Sequence, residues 1–461
     1  MIELSFHGAA GTVTGSKYLL RVNDQRVLID CGMFQGPKSL RIRNWQPLPF
    51  DPDSLDAVVL THAHIDHIGY LPRLVAMGYN GPVLATEPTV DVAGILLKDA
   101  AHLQEEDADY RNRKGLTSHE KALPLFTGED AKAARKLFKA VYFREWNDLG
   151  PGIRFRHHRA GHIIGAGFVE FELNDGHRQR RVVFSGDLGR YGSPIIPDPV
   201  APPQPDVLVV ESTYGGRIHP PQDPLHLLET VITDIIERKS VLLIPAFAVG
   251  RTQQVIYLIN ELITTGRIPP IEINIDSPMA IQATDIYVRH RSYHRIEVQR
   301  LGGKKCVLNG EHVKLHRKRR SSKLLNKLTG PAIIISASGM MSGGRILHHL
   351  INRLPDPGTT LMTVGYSAEG TLGRKLIDGE KVVYIHKQPV EVRARMINVE
   401  GLSAHADYHE ILHWLEPVER QPEHVFITHG EPSQARALQE HLKSEYQWET
   451  ILPELDETVR L

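Results

Sequence analysis

The sequence predicts an α/β protein. Short runs rich in Val, Ile and Leu recur and end in polar residues: QRVLID, DAVVLTHAH, RVVFSGD, DVLVVEST, VLLIPAF, IEINIDS, AIIISASG and HVFITHG. Stretches with helical period lie between many of them, the alternation that builds βα units. In such sheets function gathers beyond the carboxyl ends of the strands. Here those ends carry Asp30, His62, Asp187, Glu211, Ser338 and His429.

Taken in order, the opening segment SKYLLRVNDQRVLID reads as a hairpin turned at Asn23-Asp24, which adds antiparallel strands to the sheet. After the run THAHIDH the chain turns into the helix HIGYLPRLVAMG. Residues 97 to 140 read as charged helices around a loop, an insertion with no chemistry of its own. Asp223 is a candidate helix cap with Pro224 at the first position, and Leu225, Leu228, Ile232 and Ile235 then share one face. Asp407 can cap a stretch whose apolar side is Tyr408, Ile411, Leu412 and Leu415.

A chain of 461 residues with 41% hydrophobic content can form one large domain or two moderate ones. Its 54 basic and 54 acidic residues cancel, so the overall charge names no partner. Local charge says more: between Arg289 and Lys323 the only acids are Glu297 and Glu311. Such a basic segment either docks a polyanion or is an ordinary solvated surface. Two cysteines, Cys31 and Cys306, exclude a disulfide framework and a cysteine-rich zinc site. The longest clean apolar run, VLLIPAFAV, is far short of the ~20 residues that span a bilayer. The amino terminus MIELSFHGAAG lacks the pattern of a signal peptide, so a cytoplasmic protein without a membrane partner is expected.

THAHIDH is the densest chemistry in the chain. In an extended segment side chains alternate, so His62 and His64 point the same way and can share one metal, while Asp66 and His67 reach a second. Zinc takes imidazole nitrogen and carboxylate oxygen, which is what this run offers. Six residues cannot close two coordination spheres. His162 in AGHIIGAG, Asp187 in FSGDLG and His429 in FITHGE are candidates for the rest, although each alone reads equally well as a loop, turn or strand-end residue.

The order LIDCG, THAHIDH, GHIIGA, SGD resembles the four motifs of the metallo-β-lactamase fold. VVESTYG, LSAHAD and ITHGE then resemble motifs A, B and C of its β-CASP nuclease branch, and IPAFAVGRTQQ, DSPMA, SASGMMSGGR and GYSAEGTLGR extend the likeness over essentially the whole chain. It is nearest to bacterial ribonucleases related to the endonuclease subunit of the pre-mRNA 3′-end cleavage machinery. The resemblance implies an α/β fold of the αββα sandwich type at residues 1–208, completed by 393–461, with an α/β β-CASP cap at 209–392. It gives His62, His64 and His162 to a first zinc and Asp66, His67 and His429 to a second. Asp187 would bridge them and Asp30 would hold ligand histidines from behind. Two zinc ions per chain are implied, with manganese the alternative.

By the same resemblance the reaction is hydrolysis of single-stranded RNA to 5′-phosphate and 3′-OH ends, internally or from the 5′ end. His405 would protonate the leaving oxygen, with Glu211 holding its ring. Ser336, Ser338, Gly339 and Met340 match the family's phosphate-contacting loop, and Arg345, Arg251 and Arg374 are candidate phosphate contacts. RNA is expected to enter between the two domains, and a homodimer is compatible with this reading. The rivals are a DNA-processing β-CASP nuclease, disfavoured because its motif C usually lacks the histidine found here at His429, a small-molecule thioesterase, and a non-catalytic RNA-binding subunit. The extra KH modules of archaeal relatives are not seen, so weak intrinsic sequence preference is expected.

Overall fold

The computed structural model describes residues 1–117, 120–220, 223–303, 306–365, 367 and 370–461. Lys304 and Lys305 of the basic segment, and Tyr366, Ala368 and Glu369 of GYSAEGTLGR, lie outside the described residues. The chain forms two units: Met1–Ser193 with Pro197–Ile218 and His405–Leu461, and Pro194–Ile196 with His219–Ala404. The strand Val207–Glu211, which the expected boundary at 208 would cut, belongs whole to the first unit.

The first unit is a four-layer αββα sandwich. One sheet runs in the order Thr458–Arg460, Ile2–Phe6, Tyr18–Val22, Gln25–Ile29, Ala57–Val59, Val83–Thr86 and Phe138–Val141. Its first four strands are antiparallel, through the expected hairpin at Asn23, and the rest are parallel. The other sheet is ordered His424–Thr428, Val207–Glu211, Gln179–Phe184, Gly167–Asn174, Ile153–Arg159 and Asn147–Gly150. Alternate residues of each sheet meet in a common core, with Leu4, Phe6, Leu20 and Val27 against Phe155, Phe171, Phe184 and Val209. Rings cross the interface at 4.8 Å for Phe6–Phe426 and 5.7 Å for Tyr18–Phe184. Truncating one such Phe to Ala would cost about 3–5 kcal/mol.

Helices cover the outer faces. Glu87–Lys114 lies on the first sheet with Gly128–Lys136 packed against it, so the insertion expected from residue 97 begins earlier, as one long helix. Tyr408–Leu415 and Pro432–Tyr446 lie on the second. Asp407 does cap the former, accepting from Glu410 N–H at 3.0 Å. The helix expected over HIGYLPRLVAMG is two short ones, Ile65–Ile68 and Leu71–Ala76. Pro72 supplies the reason: it lacks an N–H and fits only a first turn, so a new helix starts at Leu71.

The second unit carries a parallel six-stranded sheet in the order Val313–Leu315, Glu272–Ile275, Ala332–Ser336, Val241–Pro245, Thr360–Val364 and Arg395–Val399. Both faces are buried, which is why these strands read as unbroken apolar runs. Along Ala332–Ser336, Ile333 and Ile335 enter one core and Ile334 the other. The helix Pro224–Glu237 packs Leu228, Val231, Ile232 and Ile235 into the first of these cores, and the Asp223 carboxylate accepts from Leu225 N–H at 2.9 Å.

Candidate metal centre

Strand ends of the first unit bring together Asp30, Thr61, Asp187, Glu211 and His429. Two glycines allow the close approach. A Cβ on Gly32 would sit 1.6 Å from the Asp66 carbonyl oxygen, and one on Gly186, whose φ is +53°, 2.7 Å from Thr61 Cβ. Asp30 and His429 themselves have φ of +57° and +49°, a region uncommon for non-glycine residues and often retained at functional sites.

Three imidazole nitrogens form one group. His64 Nδ1 lies 3.0 Å from His62 Nε2 and 3.2 Å from His162 Nε2. A second group joins His67 Nε2 to His429 Nε2 at 3.1 Å, with Asp66 Oδ2 3.4 Å from the latter. Nitrogens bound ~2.0–2.1 Å from one tetrahedral zinc stand about 3.3 Å apart, so these edges have the length of a metal's ligand shell.

Asp187 lies between the groups. Its Oδ2 is 3.3 Å from His62 Nε2 and 3.5 Å from His162 Nε2, while its Oδ1 is 3.2 Å from His67 Nε2. The side chain is 1% exposed, yet neither oxygen has a hydrogen-bond partner. A buried carboxylate left so is costly without a cation. The donor set and this orphaned carboxylate fit a pair of zinc-like ions.

Hydrogen bonds behind the rings turn their lone pairs inward. Asp30 accepts Thr61 N–H and Thr61 Oγ1–H, each at 2.8 Å, and His67 Nδ1–H at 2.7 Å. The Thr61 hydroxyl proton is thereby used, so its oxygen accepts from His62 Nδ1–H at 3.1 Å. Thr213 repeats the device: its hydroxyl donates to the His429 carbonyl at 3.2 Å and accepts from His429 Nδ1–H at 3.1 Å. In all three rings Nε2 is the nitrogen that faces the site. The sequence reading misses both threonines, because nothing in a sequence separates a threonine beside a motif from any other.

Electrostatics agree. Burial would raise Asp187, but His429, His67 and His62 hold it well below the usual carboxylate range. Burial, helped by His67, lowers His62 to about 4, and burial with His405 nearby drops His162 well below its ordinary value. Burial also opposes charge on His67 and His429, yet the Asp187 carboxylate overcomes it and raises both. A metal ion would displace those protons.

On the rim, His405 Nδ1 lies 3.4 Å from Glu211 Oε2, and its ring centre is 4.5 Å from that of His162. Glu211 is fixed by Leu188 N–H at 2.6 Å. Burial lowers His405, but the Glu211 charge outweighs it and lifts the ring to about 9. His64, Asp66 and His405 are the more open side chains, at 29%, 20% and 22%.

The remaining candidates belong to the second unit, beyond the carboxyl ends of its sheet. Ser338, Gly339 and Met340 form the turn after Ala332–Ser336, and Arg251 starts the helix Arg251–Thr264 as a buried residue. Ser336 points inward, its hydroxyl donating to the Asp276 carbonyl at 2.9 Å. Arg345 is held by Asp276 Oδ1 at 2.7 Å and by the His316 and Arg317 carbonyls at 2.6 and 2.9 Å. Arg374 pairs with Asp378 at 2.9 Å on the surface.

Family models match along the chain: the metallo-beta-lactamase superfamily at residues 10–237, the Beta-Casp domain at 252–376, and the Zn-dependent metallo-hydrolase RNA specificity domain at 389–453. Ribonuclease TTHA0252 of Thermus thermophilus is 39% identical over 436 residues, 94% of each chain. The chain belongs to the metallo-β-lactamase-fold β-CASP ribonuclease family. Other relatives are an RNase J-like protein of Methanocaldococcus jannaschii, 30% identical over 94% of each chain, and transcription termination factor FttA of Methanosarcina mazei, 31% identical over 100% of this chain and 72% of that one. A crystal structure of a protein of unknown function from Enterococcus faecalis V583 shares the fold, with a TM-score of 0.57 at 15% identity over 100% of both chains. As a β-CASP family member the chain is a metal-dependent hydrolase.

Proposed function

We propose that this chain hydrolyses single-stranded RNA at a two-zinc centre, leaving 5′-phosphate and 3′-OH ends. The observation that carries the reading is the carboxylate of Asp187, buried, without a hydrogen bond, and facing a different histidine group with each oxygen. His62, His64 and His162 would hold one ion, Asp66, His67 and His429 the other, and Asp187 both. Such ions would supply Lewis acidity to the phosphoryl oxygens and lower the pKa of the attacking water.

The chain's own residues do the rest. Hydrolysis forms a bond from water oxygen to phosphorus, with the water's proton lost to solvent, and breaks the bond to the 3′ oxygen, which departs needing a proton. His405, raised to about 9, carries that proton at neutral pH and is aimed by Glu211. Asp30, Thr61 and Thr213 hold the rings. Ser338, Gly339, Met340 and Arg251 are our proposed phosphate contacts in the second unit, with Arg374 released from Asp378. Ser336 and Arg345 would shape that loop from behind through Asp276. We take the two units as the metallo-β-lactamase and β-CASP domains. Among the described residues no helix is long and apolar enough to cross a membrane, and a cytoplasmic enzyme is our reading.

The test is cleavage of matched internally labelled single-stranded RNA and DNA by wild type and Asp187→Ala, with end-group analysis and metal counting by mass spectrometry. RNA-selective cutting to 5′-phosphates, two metals per wild-type chain and an inert variant support the proposal. Equal or better cutting of DNA would transfer the chain to the DNA-processing reading.

A further inference from the structure

Beyond Asp30 and Gly32, the loop between the strands Gln25–Ile29 and Ala57–Val59 has no role in the chemistry above, yet it is anchored to the metal-ligand turn. Cys31 N–H bonds to the His67 carbonyl at 2.7 Å and Met33 N–H to that of Ile65 at 3.1 Å. Next to them Phe34 is clamped by Asn44, whose amide accepts from Phe34 N–H at 2.9 Å and donates to its carbonyl at 2.8 Å. The residue after this buried clamp is Trp45, 51% exposed, and Ile42 beside it is 48% exposed. At the loop's far end Phe50 packs on His7 with ring centres 5.3 Å apart.

Charge on the part of the loop at residues 31–50 has one sign. Between Asp30 and Asp51 there is no Asp or Glu, while Lys38, Arg41 and Arg43 are present. Arg43 lies over the Phe34 ring at 5.5 Å, and among the described residues none of the three makes an ion pair with a carboxylate. A single exposed apolar residue needs no explanation. An exposed tryptophan on a braced segment, residues 31–50, whose own charges are all cations, is a combination that binds a single-stranded nucleic acid, through base stacking and phosphate attraction.

Resting on the ribonuclease reading, we infer that Trp45, with Lys38, Arg41 and Arg43, is a stacking platform for single-stranded RNA outside the scissile bond. A base lies on the indole and flanking phosphates face the cations. The loop then sets how long an RNA must be to bind well, without touching the reacting atoms.

The experiment compares wild type, Trp45→Ala, Trp45→Phe and the double variant Lys38→Ala/Arg41→Ala on a uridine 20-mer and on bis-p-nitrophenyl phosphate, a diester with no flanking nucleotides to stack. Trp45→Ala is expected to raise KM for the 20-mer about 5- to 100-fold, with kcat and the small diester unchanged. Trp45→Phe should recover most of the loss. Removing the two cations should flatten the dependence of log KM on log salt by about 0.7 per charge. A KM for Trp45→Ala within about twofold of wild type overturns the inference. So does an unchanged KM with a dimer-to-monomer shift in sedimentation, which would make this face a contact between copies. If wild type hydrolyses the small diester but not RNA, the ribonuclease reading falls and takes the platform with it.

Discussion

Thr213 Oγ1 lies 3.1 Å from His429 Nδ1 and 3.2 Å from the carbonyl of the same residue, so one hydroxyl decides which nitrogen of the motif C histidine faces the metal site. Removing it frees the ring to change tautomer or rotate. Thr213→Val should lower metal affinity or activity about 10- to 100-fold, the range for residues that orient a ligand, while Thr213→Ser stays near wild type. Titration with a zinc indicator beside RNA cleavage reads both. Equal metal affinity and rate in the Val variant and wild type would refute the assignment.

Asp187 faces both histidine groups. Asp187→Asn keeps the shape of the side chain but removes its charge and replaces one of the two oxygens that face the histidine groups. Activity should fall by more than about 100-fold, beyond what loss of an outer residue costs, and bound metal should drop below two per chain. Chelation of wild type followed by zinc addition should restore cutting. A variant that kept two metals and the full rate would remove Asp187 from the centre.

His405 and Glu211 are assigned to leaving-group protonation. His405→Ala should slow RNA cleavage by about 10²- to 10⁴-fold but slow a p-nitrophenyl diester far less, since nitrophenolate leaves without a proton. Glu211→Gln should follow the same pattern more weakly. Identical losses on both substrates would assign the pair to metal or substrate binding instead.

Lys17 offers a test of stability against pH. Its ammonium is buried, 4.6 Å from the Phe34 ring centre and 4.9 Å from that of Tyr70, with the Gly15 carbonyl at 3.3 Å. Burial lowers its pKa from 10.5 to about 8. Between those values the unfolded chain holds a proton that the folded chain has released, so stability rises with pH across this window. The penalty for the buried charge is fully present below about pH 8 and amounts to about 3 kcal/mol. Lys17→Met should flatten the rise in unfolding free energy measured by denaturant titration between about pH 7 and 10. A parallel pH profile in wild type and variant would show that the amine titrates normally.

Much of the α/β architecture and the hairpin at Asn23 can be read from the sequence, because apolar runs of strand length and turn residues are local signals. The break between Ile65–Ile68 and Leu71–Ala76 is local too, carried by Pro72, but an apolar pattern continuous across it hides the restart. The burial of Ser336 and the pairing of Arg345 with Asp276 are not local, and a serine or arginine beside glycines reads equally well as a phosphate contact.

The sequence by itself determined the kinds of ligand available: THAHIDH puts three imidazoles and a carboxylate in seven residues, and spacing alone pairs His62 with His64. Only the tertiary structure decided how they are used. His162, Asp187 and His429 come from distant loops and strand ends that meet the run when the two sheets of the sandwich stack. The direction of each Asp187 oxygen, and the threonine behind each of His62 and His429, depend on distances of about 3 Å between residues far apart in the chain, the range over which hydrogen bonds and coordination act. No local pattern encodes such distances, because they follow from how the whole core packs.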